Sequence, residues 1–146
     1  MTTSDLDHPT DPPGDWQREH LQRYLATGGR DGHVWNGATT LLLTTRGRRT
    51  GKARRTPLIY GRDGDRYLVV ASKGGSPRHP EWYLNLTADP RVRVQVADEV
   101  FDAVARTATP EEKARLWPIM TAQWPAYDEY QAKTDRDIPL VILTRV

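Results

Sequence analysis

Between residues 39 and 72 three apolar runs follow one another so closely that their connections leave no room for a parallel crossover. Parallel neighbours need a connection of about a dozen residues or more, so runs joined by a few residues pair antiparallel. The first run, residues 39–45, reads as a buried strand. Residues 52–60 pair back on it across the turn Arg46-Gly47-Arg48-Arg49-Thr50-Gly51. The Asp63-Gly64 pair favours a tight hairpin ahead of the third run, residues 66–72. Its segment Tyr67-Leu68-Val69-Val70-Ala71 is apolar at every position, which predicts burial on both faces.

Residues 1–14 are rich in Pro, Asp and Thr, lack the apolar content of a core segment, and read as a flexible tail. A helix is predicted from Asp15, its plausible N-cap, with Trp16, His20, Leu21, Tyr24 and Leu25 at helical spacing and Gly28-Gly29 as its stop. Val34 and Trp35 are expected to pin the linker that follows. Pro80 is placed in the first turn of a short helix carrying Trp82, Tyr83, Leu84 and Leu86. Val92, Val94 and Val96 alternate with Arg91, Arg93 and Gln95, a period of two with one wet face. The chain turns at Ala97-Asp98-Glu99 and returns over residues 100–107. Thr109 is set to cap a helix opened by Pro110-Glu111-Glu112 and running to about Trp124. Residues 125–137 hold Tyr127, Tyr130 and a charged run, and residues 138–144 have the β-branched density of a last strand. The order predicts one domain over residues 15–146, a mainly-β α+β fold built as a closed or split antiparallel barrel with flanking helices.

Composition narrows the function. The chain has 146 residues and a formal net charge of only +2, so its cations are a local feature. The absence of cysteine excludes a disulfide framework or thiolate metal site, and the start of the chain lacks the basic-then-apolar order of a signal peptide. A cytoplasmic protein is the default expectation. The cations themselves gather in one place: Arg46, Arg48, Arg49, Lys52, Arg54 and Arg55 fall within one decapeptide on the two sides of a single turn. Arg54 and Arg55 are successive strand residues expected to point to opposite faces. Gly47 and Gly51 are expected to let the turn present its N–H groups to an anion, and arginine adds bidentate donors suited to phosphate and carboxylate. One anionic ligand explains this pattern better than a solvated hairpin tip.

Other sites fail their own patterns. The glycines at 47 and 51 do not make a phosphate loop, because Ala53 stands where Ser or Thr would hold magnesium. No G-x-G-x-x-G follows a strand, and neither Ser72 nor Ser76 lies in a nucleophile elbow. His8, His20, His33 and His79 share no metal-ligand spacing and read as surface histidines. Basic residues near tryptophans leave a nucleic-acid-binding barrel as a weaker alternative, since the strands offer no regular exposed aromatics.

Three blocks, LLLTTRGRRTGKARRTPLIY, VVASKGGSPRHPEWYLNL and WPAYDEYQAKTDRDIPLVIL, resemble in this order the deazaflavin-dependent nitroreductase family of actinobacteria. The resemblance implies an FMN-binding-like split β-barrel that uses reduced coenzyme F420, an 8-hydroxy-5-deazaflavin, as hydride donor, with FMN the alternative cofactor. It also implies an occupant for the basic turn, since this coenzyme carries a phosphodiester and an oligoglutamate tail. The positions matching Arg48, Arg49 and Thr50, and Arg54, Arg55, Thr56, Pro57, Leu58 and Ile59, would line tail and phosphate. Val70, Ala71, Ser72 and Lys73 would contact the coenzyme, with Gly74 and Gly75 exposing backbone donors beside Lys73. Glu81, Trp82, Tyr83, Leu84 and Asn85 would complete the cleft. Tyr127 would close over the substrate, with Tyr130 beside it.

The implied reaction is hydride transfer to a quinone or nitroaromatic, with Ser72, Tyr127 or Tyr130 steadying the acceptor's oxygen or supplying a proton. A binding protein of the same fold without turnover is the competing expectation. Both monomers and homodimers fit the resemblance, and a peripheral membrane contact through the first helix is a weaker expectation.

Overall fold

The computed structural model describes Leu6, Pro9 and residues 15–35 and 37–146. Helix α1 (Asp15–Thr27) leads into β1 (Val34–Trp35), β2 (Ala38–Arg46), β3 (Ala53–Ile59), β4 (Gly61–Asp63) and β5 (Arg66–Val70). A single 3-10 turn (Lys73–Gly75) and α2 (Glu81–Ala88) follow, then β6 (Arg91–Val96), β7 (Glu99–Thr107), α3 (Pro110–Gln123), α4 (Ala126–Lys133) and β8 (Leu140–Arg145). The tail expected over residues 1–14 falls almost wholly outside the described residues; Leu6, which belongs to it, is buried.

Every strand pair is antiparallel. β2 pairs with β3 on one side, while the sheet continues on the other through β6, β7, β8 and β5 to β4. Only Tyr60 separates β3 from β4 in sequence, yet the two strands lie at opposite ends of this order. The sheet therefore curls until its two edges approach, leaving a seam between β3 and β5. The result is the antiparallel split barrel with flanking helices that the sequence predicts.

Burial on both faces follows from the sequence of β2, β5 and β8. Leu41, Leu43, Tyr67, Val69, Val141 and Leu143 fill the inside of the curl with Phe101, Val92 and Val94 from β6 and β7 and Leu86 from α2. The alternate residues Leu68, Val70, Leu140 and Ile142 pack outside against Leu116, Met120 and Tyr127 of α3 and α4. Each such fully buried aliphatic side chain is worth roughly 1.5–3 kcal/mol relative to exposure.

Helix α1 is held over β2 by Leu21 and Tyr24 packing on Leu42. Tyr24 donates its hydroxyl to Thr40 O (3.0 Å) and accepts from the Ala97 N–H (2.6 Å), so one side chain ties the helix to the sheet and to the β6–β7 turn. Burial raises its pKa to about 12, so the hydroxyl stays a donor. Gly29 closes the helix at φ +86°, and a Cβ there would meet Ala97 Cα at 2.3 Å. Neither the conformation nor the space admits another residue. At α3 the predicted cap is a full capping box, with Thr109 accepting from the Glu112 N–H and Glu112 accepting from the Thr109 N–H.

Four local expectations change. Val34 does not pin the linker, being 64% exposed; Trp35 does so by packing on Trp124 at 5.3 Å. The hairpin partner of β5 is the short β4 and not the strand over 52–60, because Tyr60 carries the chain across the seam. Pro80 is the N-cap of α2, in an extended conformation, and not part of its first turn. Residues 126–133 form a helix, α4, where the sequence suggested only aromatics and a charged run. That helix presents few apolar positions of its own and forms because Tyr127 is buried against α3 and the sheet.

Candidate functional site

Two clefts, of about 700 and 470 Å³, lie along the seam and share the residues Gln17, Thr56, Lys73, Glu81 and Trp82. They form one trough, basic at one end and aromatic at the other.

The basic end is built from the β2–β3 turn. Arg48, Arg49, Thr50, Arg54, Arg55 and Thr56 line it with Lys73, Glu81, Trp82 and Asn85, together with Thr45 and Gly47. Arg46 instead pairs with Asp89 at 2.7 Å, and Lys52 is not among the lining residues. Arg54 and Arg55, successive residues of β3, both reach the cleft. β3 pairs only with β2, so its other edge is open, and side chains from both its faces can turn around that edge.

Part of the turn's backbone is engaged within the protein. The Gly47 N–H donates to Lys52 O (2.7 Å), the Gly51 N–H to Gly47 O (2.8 Å), and the Arg48 N–H to Asn85 Oδ1 (3.1 Å). These three donors are consumed in shaping the turn, and the side chains of Arg48, Arg49, Arg54 and Arg55 line the cleft beside it. Asn85, 2% exposed, is the keystone. Its carbonyl oxygen also accepts from Arg48 Nη1 (3.0 Å), and its amide donates to Thr45 Oγ1 (3.3 Å). Glu81 accepts from Arg48 Nη1 at 2.6 Å, and the Arg48 guanidinium holds the Glu81 carboxyl below the usual carboxylate range. Among the described lining residues Glu81 is the one carboxylate, and it fixes an arginine and stays charged.

Thr56, Pro57, Leu58 and Ile59 of β3 face Val70 and Ser72 across the seam at the aromatic end. Tyr127 and Tyr130 form its far wall with Trp35 and Trp124. The rings support one another: Tyr127 meets Tyr130 edge-on at 6.1 Å, and Trp124 Nε1 donates to the Tyr130 hydroxyl at 3.3 Å. Burial pushes the Tyr127 hydroxyl well above the ordinary tyrosine range, so it stays a neutral hydrogen-bond donor.

Four residues named from the sequence stand off both clefts. Ala71 is fully buried. The Gly75 N–H closes the 3-10 turn onto Ser72 O at 2.9 Å, and the residue packs against Tyr130, so it exposes no donor. Tyr83 turns away to Thr107, its hydroxyl 2.8 Å from Oγ1, and Leu84 is half-buried beside it on α2.

The sequence also passed over residues that matter here. Gln17, His20, Thr40, Trp35, Pro80 and Trp124 all line the aromatic end, and Gly74, expected beside Lys73, lines it too. His20 is 3% exposed, not a surface histidine; His33 is bound to the Tyr60 hydroxyl (2.9 Å), and His79 to Arg136. His8 lies outside the described residues. Arg136 scaffolds the Lys73 turn from behind, donating to Ser72 O (2.7 Å), Ser76 O (2.8 Å) and Ala71 O (3.2 Å). No local pattern marks these positions, because each acquires its role from a segment distant in sequence.

Against known proteins, residues 16–145 match the family model described as F420H(2)-dependent quinone reductase. An F420H(2)-dependent quinone reductase of Mycobacterium tuberculosis is 47% identical over 132 residues, covering 88% of this chain and 89% of that one. This chain belongs to that family. A solved structure described as an F420-H2 dependent reductase superposes with a TM-score of 0.67 at 45% identity, covering 71% of this chain and 92% of that one. Another, described as a domain-swapped dimer, reaches 0.70 at 44%, covering 90% and 99%. The family's coenzyme is compatible with the donor set present. A cluster of arginines and Lys73 suits an anionic tail, and a slot walled by Trp82, Leu58 and Ile59 suits a flat ring.

Proposed function

We propose that this protein transfers hydride from reduced coenzyme F420 to a quinone or nitroaromatic acceptor. The observation that carries the proposal is the continuity of the trough. The cations of the β2–β3 turn lead past Lys73 and Trp82 directly into a slot walled by aromatic rings. A ligand with a polyanionic tail and a flat redox ring spans such a trough, and an aromatic acceptor stacks in what remains.

When bound, the coenzyme supplies the hydride. The protein supplies position and polarity. Arg49, Arg54, Arg55 and Lys73 hold the anionic tail, while Glu81 and Asn85 keep Arg48 oriented at the rim. Thr56, Pro57, Leu58, Ile59 and Val70 wall the ring slot and exclude water from it. Ser72 and the hydroxyls of Tyr127 and Tyr130 polarise the acceptor's oxygen by hydrogen bonding. Tyr127 remains protonated through this work.

The protein is proposed to act in the cytoplasm as a single domain over residues 15–146. No described helix is long and apolar enough to cross a membrane. Sedimentation would separate monomer from homodimer, the second being the arrangement suggested by the domain-swapped relative.

The test is a fluorescence titration with oxidised F420 beside FMN, followed by menadione reduction with the reduced coenzyme. Selective F420 binding with turnover supports the reading. F420 binding without oxidation on adding acceptor would mean a carrier of the same fold, and FMN binding alone would overturn the cofactor.

A further inference from the structure

His20 projects from α1 among the residues that wall the aromatic cleft, the same cleft that Ser72, Tyr127 and Tyr130 line. Its ring is 3% exposed. Nε2 lies 2.8 Å from Gly32 O, and a Cβ placed on Gly32 would meet Cδ2 at 3.0 Å and Nε2 at 3.2 Å. The Nε2–Cδ2 edge therefore faces Gly32. In a five-membered imidazole the atom opposite that edge is Nδ1, so Nδ1 points away from Gly32. Among the described residues Nδ1 has no hydrogen-bond partner.

The tautomer follows from the partner. Gly32 O can only accept, so Nε2 carries a proton in either charge state. Nδ1 is then a bare lone pair in neutral imidazole and a proton donor in imidazolium. The ring is anchored to backbone through Nε2 and the residue lines the cleft, which leaves Nδ1 as the nitrogen for proton exchange with the cleft's occupant. The ionisable groups sharing the cleft are Lys73, Glu81, Tyr127 and Tyr130, and Tyr24 packs on the ring at 6.4 Å with His33 beyond it.

We propose that His20 is a catalytic residue that hands a proton from Nδ1 to the acceptor's reduced oxygen. The inference rests on the reductase reading. Hydride transfer from the reduced deazaflavin adds two electrons and one hydrogen to a quinone and leaves an oxyanion. The Nδ1–H bond of imidazolium then breaks, its electron pair stays on Nδ1, and an O–H bond forms to give the hydroquinone. Water reprotonates Nδ1 once the product has left. Such a donor is needed because the Tyr127 hydroxyl, held neutral by burial, is a weak acid.

The variant His20→Gln keeps a side-chain donor for Gly32 O and removes Nδ1. Single-turnover reduction of menadione by the F420H2-loaded protein should slow by about 10²-fold, while the Kd of oxidised F420, read by fluorescence, stays within about twofold. Side-chain nitrogen NMR of the unmodified protein should show that His20 carries a proton at Nε2, the nitrogen that faces Gly32 O. The Nδ1 resonance should move when menadione is added to the protein saturated with oxidised F420. A menadione rate for His20→Gln equal to the parent's, or a bare Nε2, overturns the inference and leaves the reductase reading intact. A parent protein that binds F420 but never oxidises it in the presence of menadione overturns the reductase reading itself, and the proton-donor role with it.

Discussion

Lys73 occupies the left-handed region at φ +46° on an exposed turn where the basic and aromatic clefts join. A residue with a Cβ is disfavoured there, so the conformation is imposed by the surrounding bonds and sets where the ammonium points. The charge is solvent-facing, and in the proposed role it is a point attraction for an anionic ligand, worth about 1 kcal/mol. Lys73→Ala should therefore weaken F420 binding by roughly three- to tenfold in a fluorescence titration, with the urea midpoint unchanged. An unaltered Kd would remove Lys73 from the binding set. Asn85 works differently. Its amide satisfies two groups of Arg48 and one hydroxyl of Thr45 from a buried position, so it governs the shape of the basic turn and contributes no charge.

The Lys73–Gly75 turn is an element with almost no internal reason to hold its form. It contains two glycines and is braced by Arg136, whose guanidinium binds three carbonyls flanking it, those of Ala71, Ser72 and Ser76, and faces His79 Nδ1 at 3.1 Å. Arg136→Ala leaves these carbonyls without their charged donor and should lower stability by about 1.5–3 kcal/mol, measured by urea unfolding. His79 must accept from Arg136 through Nδ1 and is therefore held neutral. Burial, and then the Arg136 charge, push its pKa below the ordinary 6.5. The unfolded chain thus takes up this proton before the folded one does. Stability is constant above that ordinary value and falls as the pH drops through 6.5 towards the lower folded value. Urea midpoints should decline over that window, and His79→Gln, which retains an acceptor without titrating, should flatten the decline. An equal slope in the variant would assign the pH dependence to other groups.

At the scale of the molecule, the net charge of +2 matters less than its placement, since the cations of one turn are concentrated along one end of one trough. Binding of a polyanionic tail there should be screened by salt. Raising ionic strength from low salt to about 0.5 M should weaken F420 binding roughly tenfold, while an F420 fragment lacking the oligoglutamate tail should bind more weakly at low salt and show a flatter dependence. A salt-independent Kd would mean that the ring, and not the tail, dominates affinity. The same placement explains why α1 belongs to the site. Tyr24 and Gly29 lock the helix against the sheet and the β6–β7 turn, so Gln17 and His20 line the trough as fixed wall residues.

The sequence by itself determined what depends on neighbours in the chain. Antiparallel pairing of β2 with β3 and of β6 with β7 followed from short connections and alternation, the α3 capping box from Thr109 and Glu112, and the basic turn from its composition. That Ser72, Lys73, Trp82 and Tyr127 line one trough was legible because the resemblance spans three separate blocks. Tertiary structure decided what depends on closure of the sheet. The β3 edge lets Arg54 and Arg55 reach one cleft, Tyr60 carries the chain across the seam, and α4 forms where Tyr127 finds a core. It also decided that His20 is buried and Arg136 a scaffold. Each is bound to a backbone carbonyl far along the chain, Arg136 to Ser72 across a separation of 64 residues, and no local periodicity encodes a hydrogen bond over that distance.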